Sequence, residues 1–252
     1  MAEEQRVALV TGASAGIGRA TATRLGELGV AVALNYPDDT ELENVDAAVA
    51  DIESMDGRAV AVRADVADDG AVREMVEETA SKLGRIDYLV NNAGMTHFVD
   101  HADLEAMTGE KWIEIFQVNV VGAFQVTRAA APHLRATGDG AVVNVASVSG
   151  YTGGGSSIAY AAAKAALITM TRSLSRVLGP EIRVNAVAPG FVGTRWWWEA
   201  RPDYEDLKRT VEERTPVGYA AGPEEMADSI VPLLLQNRFV SGQTLTVDGG
   251  SR

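Results

Sequence analysis

The chain has 252 residues, 46% of them hydrophobic and 23% charged, an ordinary globular balance with enough length for a sizeable α/β core. A formal net charge of −13 disfavours nucleic acid, anionic lipid and acidic proteins as partners, leaving a small molecule as the expected one. There is no cysteine, which excludes disulfides and thiolate metal sites and suits a cytoplasmic protein.

The acidic start MAEEQRVALV lacks the basic and apolar regions of a signal peptide, and no apolar run reaches membrane-spanning length. RVALVTG then predicts a first strand, GIGRATATRLGELG a helix, VAVALNY a second strand and RAVAVRADV a third. DDGAVREMVEETASKLG predicts a helix, IDYLVNNAG a fourth strand, KWIEIFQVNVVGAFQVTRAAAPHLRA one long helix and GAVVNVAS a fifth strand. SSIAYAAAKAALITMTRSLSRVL predicts a helix, IRVNAVAPG a sixth strand and QTLTVDGG a seventh, while about Pro189 to Pro216 reads as irregular. Such alternation predicts right-handed βαβ units, and nearly uniform apolar strands predict a sheet covered on both faces. The expected fold is a single doubly wound, Rossmann-type parallel sheet of about seven strands with helices on both sides. No linker or repeat interrupts it, so residues 1–252 read as one domain.

VALVTGASAGIGRA places Gly12, Gly16 and Gly18 between the first strand and the first helix. Gly12 permits a tight turn, Gly16 lets backbone approach a pyrophosphate, and Gly18 allows close helix–strand packing. The helix start offers free N–H groups to phosphate, with Thr11 and Ser14 as further hydroxyl donors. The spacing departs from G-x-G-x-x-G, so a purely structural turn stays open.

Tyr160 and Lys164 stand at i and i+4 among alanines, on one face of a predicted helix. A cation ~5 Å from a phenol, at an effective dielectric of ~20, favours phenolate by roughly 3 kcal/mol, about two pKa units. That attraction predicts a phenol near working pH, suited to general acid–base catalysis; the competing reading is a solvated lysine beside a packed tyrosine. Ser147 ends the fifth strand, where its hydroxyl could meet a substrate oxygen or cap a turn. Asn119 interrupts an apolar helical pattern, as a satisfied core amide or a holder of water.

Taken together, T-G-x-x-x-G-x-G at 11–18, N-N-A-G at 91–94, Asn119, Ser147, Tyr160, Lys164 and NAVAPG at 185–190 resemble the short-chain dehydrogenase/reductase family over essentially the whole chain. The resemblance implies an NAD(P)-dependent oxidoreductase interconverting a ketone and a secondary alcohol. It makes Tyr160 the general acid/base, Ser147 the group that orients the carbonyl, Lys164 the residue that lowers the phenol pKa and binds the nicotinamide ribose, and Asn119 the support of a water relay. It implies cofactor contacts at Gly12, Ser14, Gly16, Ile17 and Gly18, at Tyr36, at Asp65 and Val66, and at Asn91, Ala93 and Gly94. Pro189, Gly190, Val192 and Thr194 would complete that set.

Cofactor preference stays open between NAD and NADP. Tyr36 stands where NAD-selective members carry an acid, and neither Ala15 nor Pro37 is basic; Asp38 and Asp39 tilt the reading slightly towards NAD. For the substrate, 3-oxoacyl-acyl-carrier-protein reductases present arginines to their acidic carrier, whereas the matching positions here are Gln125 and Pro180 or Glu181. With the net charge, this favours a free, apolar alcohol or ketone. A non-catalytic nicotinamide-binding regulator is the alternative of another class. His97 and His101 have i, i+4 spacing, but they are expected to line a substrate loop and no metal is expected. The resemblance also implies a homotetramer, and a lid at about 190–216. Within it, Trp196, Trp197 and Trp198 cannot share one face; they either pack against a neighbouring subunit or wall the pocket. His97, Gly154, Trp196 and Trp197 are the candidate substrate residues.

Overall fold

Seven parallel strands form the centre of the structure, a computed structural model in which residues 5–251 are described. They are β1 (Val7–Val10), β2 (Ala31–Tyr36), β3 (Ala59–Arg63), β4 (Tyr88–Asn91), β5 (Gly140–Val145), β6 (Ile182–Pro189) and β7 (Thr244–Val247), in the spatial order β3-β2-β1-β4-β5-β6-β7. Each strand coincides with a predicted run. Alternation along β1 sends Val7 and Leu9 to one face and Ala8 and Val10 to the other. The chain turns one way from β1 to β2 and the other way to β4, so the sheet reverses its winding beside β1 and opens a crevice at the strands' carboxyl ends.

Helices α1 (Gly16–Glu27) and α2 (Leu42–Glu53) cover one face; α3 (Asp69–Leu83) lies on the other. Burying side chains such as Leu25, Ile52 and Met75 completely stabilises by about 1.5–3 kcal/mol each. Helix α2 escaped the sequence reading, although Val45, Ala48 and Ile52 recur at helical spacing on its buried side.

The long helix expected over 111–136 is instead three pieces: α4 (Gly109–Phe116), a π-helical turn (Gln117–Gly122) and α5 (Ala123–Ala136). The Asn119 side chain donates to the Ile115 carbonyl, 2.8 Å, inside its own helix. The π-helical turn carries Asn119, whose amide also donates to the Met95 carbonyl at 2.8 Å, outside the helix. Gly122 follows, where a Cβ would lie 2.8 Å from Val66 Cγ2. Beyond β5 come the short α6 (Ser149–Thr152) and α7 (Ile158–Leu178), whose N-cap Ser157 accepts from the Tyr160 N–H. The stretch read as irregular carries α8 (Arg195–Trp198) and α9 (Tyr204–Arg214), and α10 (Pro223–Leu235) precedes β7. Among the described residues no helix is long and apolar enough to cross a membrane.

A buried amide chain ties these layers together. Asn91 Nδ2 on β4 donates to Thr127 Oγ1 of α5 and Asn144 Oδ1 of β5, and Asn144 Nδ2 donates to Thr171 Oγ1 of α7. Leaving such groups unpaired costs about 1–3 kcal/mol each. Asn144→Ala is therefore expected to lower the thermal midpoint by several degrees with far-ultraviolet dichroism unchanged; an unaltered midpoint contradicts this account of the network.

Candidate active site

The turn after β1 is shaped by its glycines and held by the segment after β4. Gly12 and Gly16 have φ of +61° and +54°, values a side chain would strain. A Cβ on Gly18 would lie 2.3 Å from the Gly12 carbonyl oxygen, so only glycine lets α1 start this close to the turn. Thr11 Oγ1 accepts from the N–H groups of Asn92 and Ala93, both 3.0 Å, while Asn92 Nδ2 donates to the carbonyls of Thr11 and Gly12. The N-cap of α1, Ala15, supplies no side-chain acceptor, and no acid stands in the first turn. Its N–H groups stay available to an anion.

Beside this turn lies a cleft of about 690 Å3 at the carboxyl ends of the strands, within the range of small-molecule sites. Helix α7 presents Tyr160 and Lys164 to it. Lys164 Nζ donates to the Val145 carbonyl at the end of β5, 2.9 Å, and lies 5.4 Å from the Tyr160 ring centre. Ser147 stands two residues beyond the end of β5 rather than within it, and its hydroxyl pairs with both Ser149 and the Tyr160 phenol. Asn119 donates its amide to the carbonyls of Met95 and Ile115, both 2.8 Å, leaving its buried Oδ1 without a protein partner. A Cβ on Gly94 would sit 2.8 Å from that oxygen and 3.6 Å from Lys164 Nζ. The glycine thus leaves open the space that both polar groups border.

An aromatic wall faces the phenol. Trp196 lies 5.7 Å from the Tyr160 ring, Phe98 contacts Trp196 and Trp197, and Phe191 stacks on Trp197 at 5.4 Å. Trp198 points elsewhere, edge-on to Tyr204 and half exposed. Three successive tryptophans thus divide between two directions, as helical geometry demands. At the other end of the cleft Glu41 Oε1 accepts from Arg195 Nη2 at 2.7 Å.

Most sequence-derived candidates meet in this one cleft: Gly12, Ser14, Gly16, Ile17, Asp65, Val66, Ala93, Gly94, Ser147, Gly154, Tyr160, Lys164, Pro189, Gly190, Val192, Thr194, Trp196 and Trp197 all line it. Gly18 and Asn119 stand behind the lining and shape it. Three others do not meet there. Tyr36 turns into the core, and its neighbours Asn35 and Pro37 line the cleft instead. Asn91 is consumed by the buried amide chain, and Asn92 takes its place at the wall. His97 bonds Glu114 at 2.7 Å outside the lining, in a segment that is not helical, so its spacing to His101 puts no pair on one helix face. Asp38 and Asp39, the basis for leaning towards NAD, are exposed and engaged with Thr40 and Arg63, away from the cleft. Gln125 is buried and donates to Val66 O. Sequence reading missed Glu41, Asn92, Phe98, Phe191 and Arg195; only the place of Asn92 within N-N-A-G could have signalled one of them.

A family model described as enoyl-(acyl carrier protein) reductase matches residues 12–252. A protein provisionally named ketoacyl reductase 2 of the granaticin polyketide synthase, from Streptomyces violaceoruber, is 41% identical over 99% of this chain and 97% of its own length. The 3-oxoacyl-acyl-carrier-protein reductase FabG of Thermotoga maritima is 39% identical over 98% of both chains. The crystal structure of levodione reductase superposes with a TM-score of 0.90 at 30% identity, covering 97% of this chain and 96% of that one.

Burial sets the charge states of the two central groups. It pushes the Tyr160 phenol up to about 12, against a smaller lowering by the Ser147 hydrogen bond. Counting only the attraction to Lys164 omits the cost of burying a phenolate, which is why the expected fall in pKa is not found. The same burial brings Lys164 down to about 8. Between pH 8 and 10.5 the unfolded chain binds this lysine proton and the folded protein does not, so Lys164 adds stability as pH rises through that window and costs it below pH 8. The cost is about 3 kcal/mol, less about 1 for the bond to Val145. Lys164→Met is accordingly expected to melt above wild type at pH 7, with the gap closing towards pH 10.5. A variant no more stable at pH 7, or a gap constant with pH, contradicts the assignment.

Proposed function

Because the chain belongs to the short-chain dehydrogenase/reductase family, we propose that it interconverts a ketone and a secondary alcohol with NAD or NADP, using Tyr160 as the proton donor and acceptor. The observation that carries this reading is the meeting of Ser147, Tyr160 and Lys164 at the wall of a cleft whose other end is an uncapped glycine turn. The uncapped α1 start and the space left by Gly94 fit a dinucleotide: the turn and Ser14 would hold its phosphates, and Lys164 its nicotinamide ribose. When bound, the nicotinamide supplies or takes the hydride at the substrate carbon.

The chain's own residues manage the proton and the pocket. A phenol kept neutral by burial enters the reaction as an acid and gives its proton to the ketone oxygen. Ser147, already bonded to that phenol, donates to the same oxygen and fixes its direction. The phenolate left behind is stabilised by the Lys164 ammonium, and Asn119 Oδ1 accepts from a water that restores the proton. In the alcohol-oxidising direction the same groups act in reverse.

The aromatic wall favours a free, bulky apolar ketone, since such rings bury ~150–250 Å2 each and exclude water from the reacting atoms. A second reading, reduction of a carrier-bound 3-oxoacyl group, draws on the names of the granaticin and Thermotoga relatives. Against it stand the buried Gln125 and the acidic net charge. The non-catalytic reading is disfavoured by the presence of Asn119, Ser147, Tyr160 and Lys164 together. Residues 1–252 form one domain on this proposal, with 190–216 as the substrate lid, acting in the cytoplasm as a homotetramer. The exposed Trp112 and Ile113 on α4, Val121 in the π-helical turn and Phe124 on α5 support association of copies.

The test is a panel of free ketones and a 3-oxoacyl thioester, assayed with NADH and NADPH. Activity on bulky ketones is expected to exceed that on the thioester; the reverse order selects the second reading, and no turnover with any member selects the non-catalytic one. Tyr160→Phe should lower reduction by ~10²–10⁴-fold while leaving nicotinamide binding within a few-fold; more than a tenth of the activity surviving contradicts its role. Trp196→Ala should raise KM for bulky ketones without changing nicotinamide affinity, and equal losses for small polar ketones refute the pocket wall.

A further inference from the structure

Residues 194–197 touch both ends of the cleft. The Thr194 methyl lies 3.5 Å from where a Cβ of Gly16 would stand, so the segment runs directly over the glycine turn. The next residue, Arg195, bonds Glu41 at 2.7 Å, joining positions 154 residues apart. The one after that, Trp196, lies over the Tyr160 ring. Among the residues lining the cleft, Lys164 and Arg195 are the cations and Glu41, Asp65 and Glu199 the acids. Lys164 belongs to the catalytic end, which leaves Arg195 as the positive side chain at the turn.

Glu41 behaves as a stand-in for an anion. Its side chain is only 16% exposed, and the carboxylate accepts from Arg195, from Asn44 and from the Ser14 hydroxyl. Ser14 is the hydroxyl that would otherwise meet phosphate at the α1 start. A carboxylate and a phosphate present similar acceptor oxygens to a guanidinium and a hydroxyl. The phosphate carries more charge and also gains the α1 N–H groups, which no side chain caps.

We propose that Arg195 is a phosphate-binding residue for the dinucleotide, held by Glu41 until the pyrophosphate displaces the carboxylate from both Arg195 and Ser14. The inference rests on the dinucleotide reading above and adds to it. Because Trp196 follows Arg195 directly, this exchange couples the phosphate end of the cleft to the aromatic wall that already stands over Tyr160.

Calorimetric titration of the intact protein with NADH, NADPH, ADP and adenosine tests this without turnover. Arg195→Gln should weaken ADP and NADH at least tenfold and leave adenosine, which lacks phosphate, within about twofold; Arg195→Lys should restore part of the loss. Glu41→Gln should do the opposite, tightening ADP about threefold or more, and the double variant should lose that gain. ADP affinity unchanged by Arg195→Gln overturns the proposal. So does a weakening of ADP by Glu41→Gln comparable to that of Arg195→Gln, which would make the pair a fixed strap. Wild-type protein that binds neither NADH nor NADPH overturns the dinucleotide reading itself, whereas NADH binding indifferent to Arg195→Gln overturns this inference alone.

Discussion

A lysine ammonium taken out of water is the constraint around which the site is organised. Lys164 is 4% exposed, and its direct hydrogen-bond partner is the Val145 carbonyl at the end of a central strand. Among the described residues no carboxylate pairs with it, so the protein retains an expensive buried charge. The cost is tolerable because the sheet around it is rigid: β5 lies between β4 and β6, and the amide chain through Asn91 and Asn144 ties it to α5 and α7. That framework fixes Val145, Ser147 and the first turns of α7 relative to one another, and thereby fixes Tyr160 and Lys164.

The rest of the cleft follows from where the sheet reverses its winding. The crevice beside β1 and β4 receives the glycine turn, the N-N-A-G segment and the ends of β5 and β6 with no long excursion of the chain. Thr11 and Asn92 then lock the turn to the segment after β4 through four hydrogen bonds, which leaves the free N–H groups of α1 facing the cleft. Above this floor, the segment from Thr194 to Trp197 runs over the glycine turn and the Tyr160 ring.

The strands were legible because β-branched runs flanked by glycine admit few other readings, and the meeting of Ser147, Tyr160 and Lys164 in one cleft because their type and spacing recur in a known family. The errors share physical causes. Tyr36 and Asn91 each stand one residue from a neighbour that lines the cleft, because successive residues of a strand point to opposite faces. The π-helical turn inside the helix over 111–136 leaves no mark in composition; there the Asn119 amide donates to both Ile115 O and Met95 O. Glu41 and Arg195 meet only because tertiary structure brings the β2–α2 corner under α8. Phe98 becomes part of the wall through contact with α8, far along the chain. The phenol's charge state failed for an energetic reason, since spacing reports the neighbouring cation and says nothing of desolvation.

The account stands on burial, rather than the neighbouring ammonium, setting the protonation of Tyr160 in the free protein. Carbon-13 labelling at tyrosine Cζ reads this directly by nuclear magnetic resonance, with Tyr160→Phe identifying the signal among the six tyrosines. The Tyr160 resonance is predicted to stay at its neutral-phenol position past pH 10 and to move only as pH approaches about 12. A resonance that titrates below pH 10 would show that Lys164 dominates the phenol, and would contradict the account.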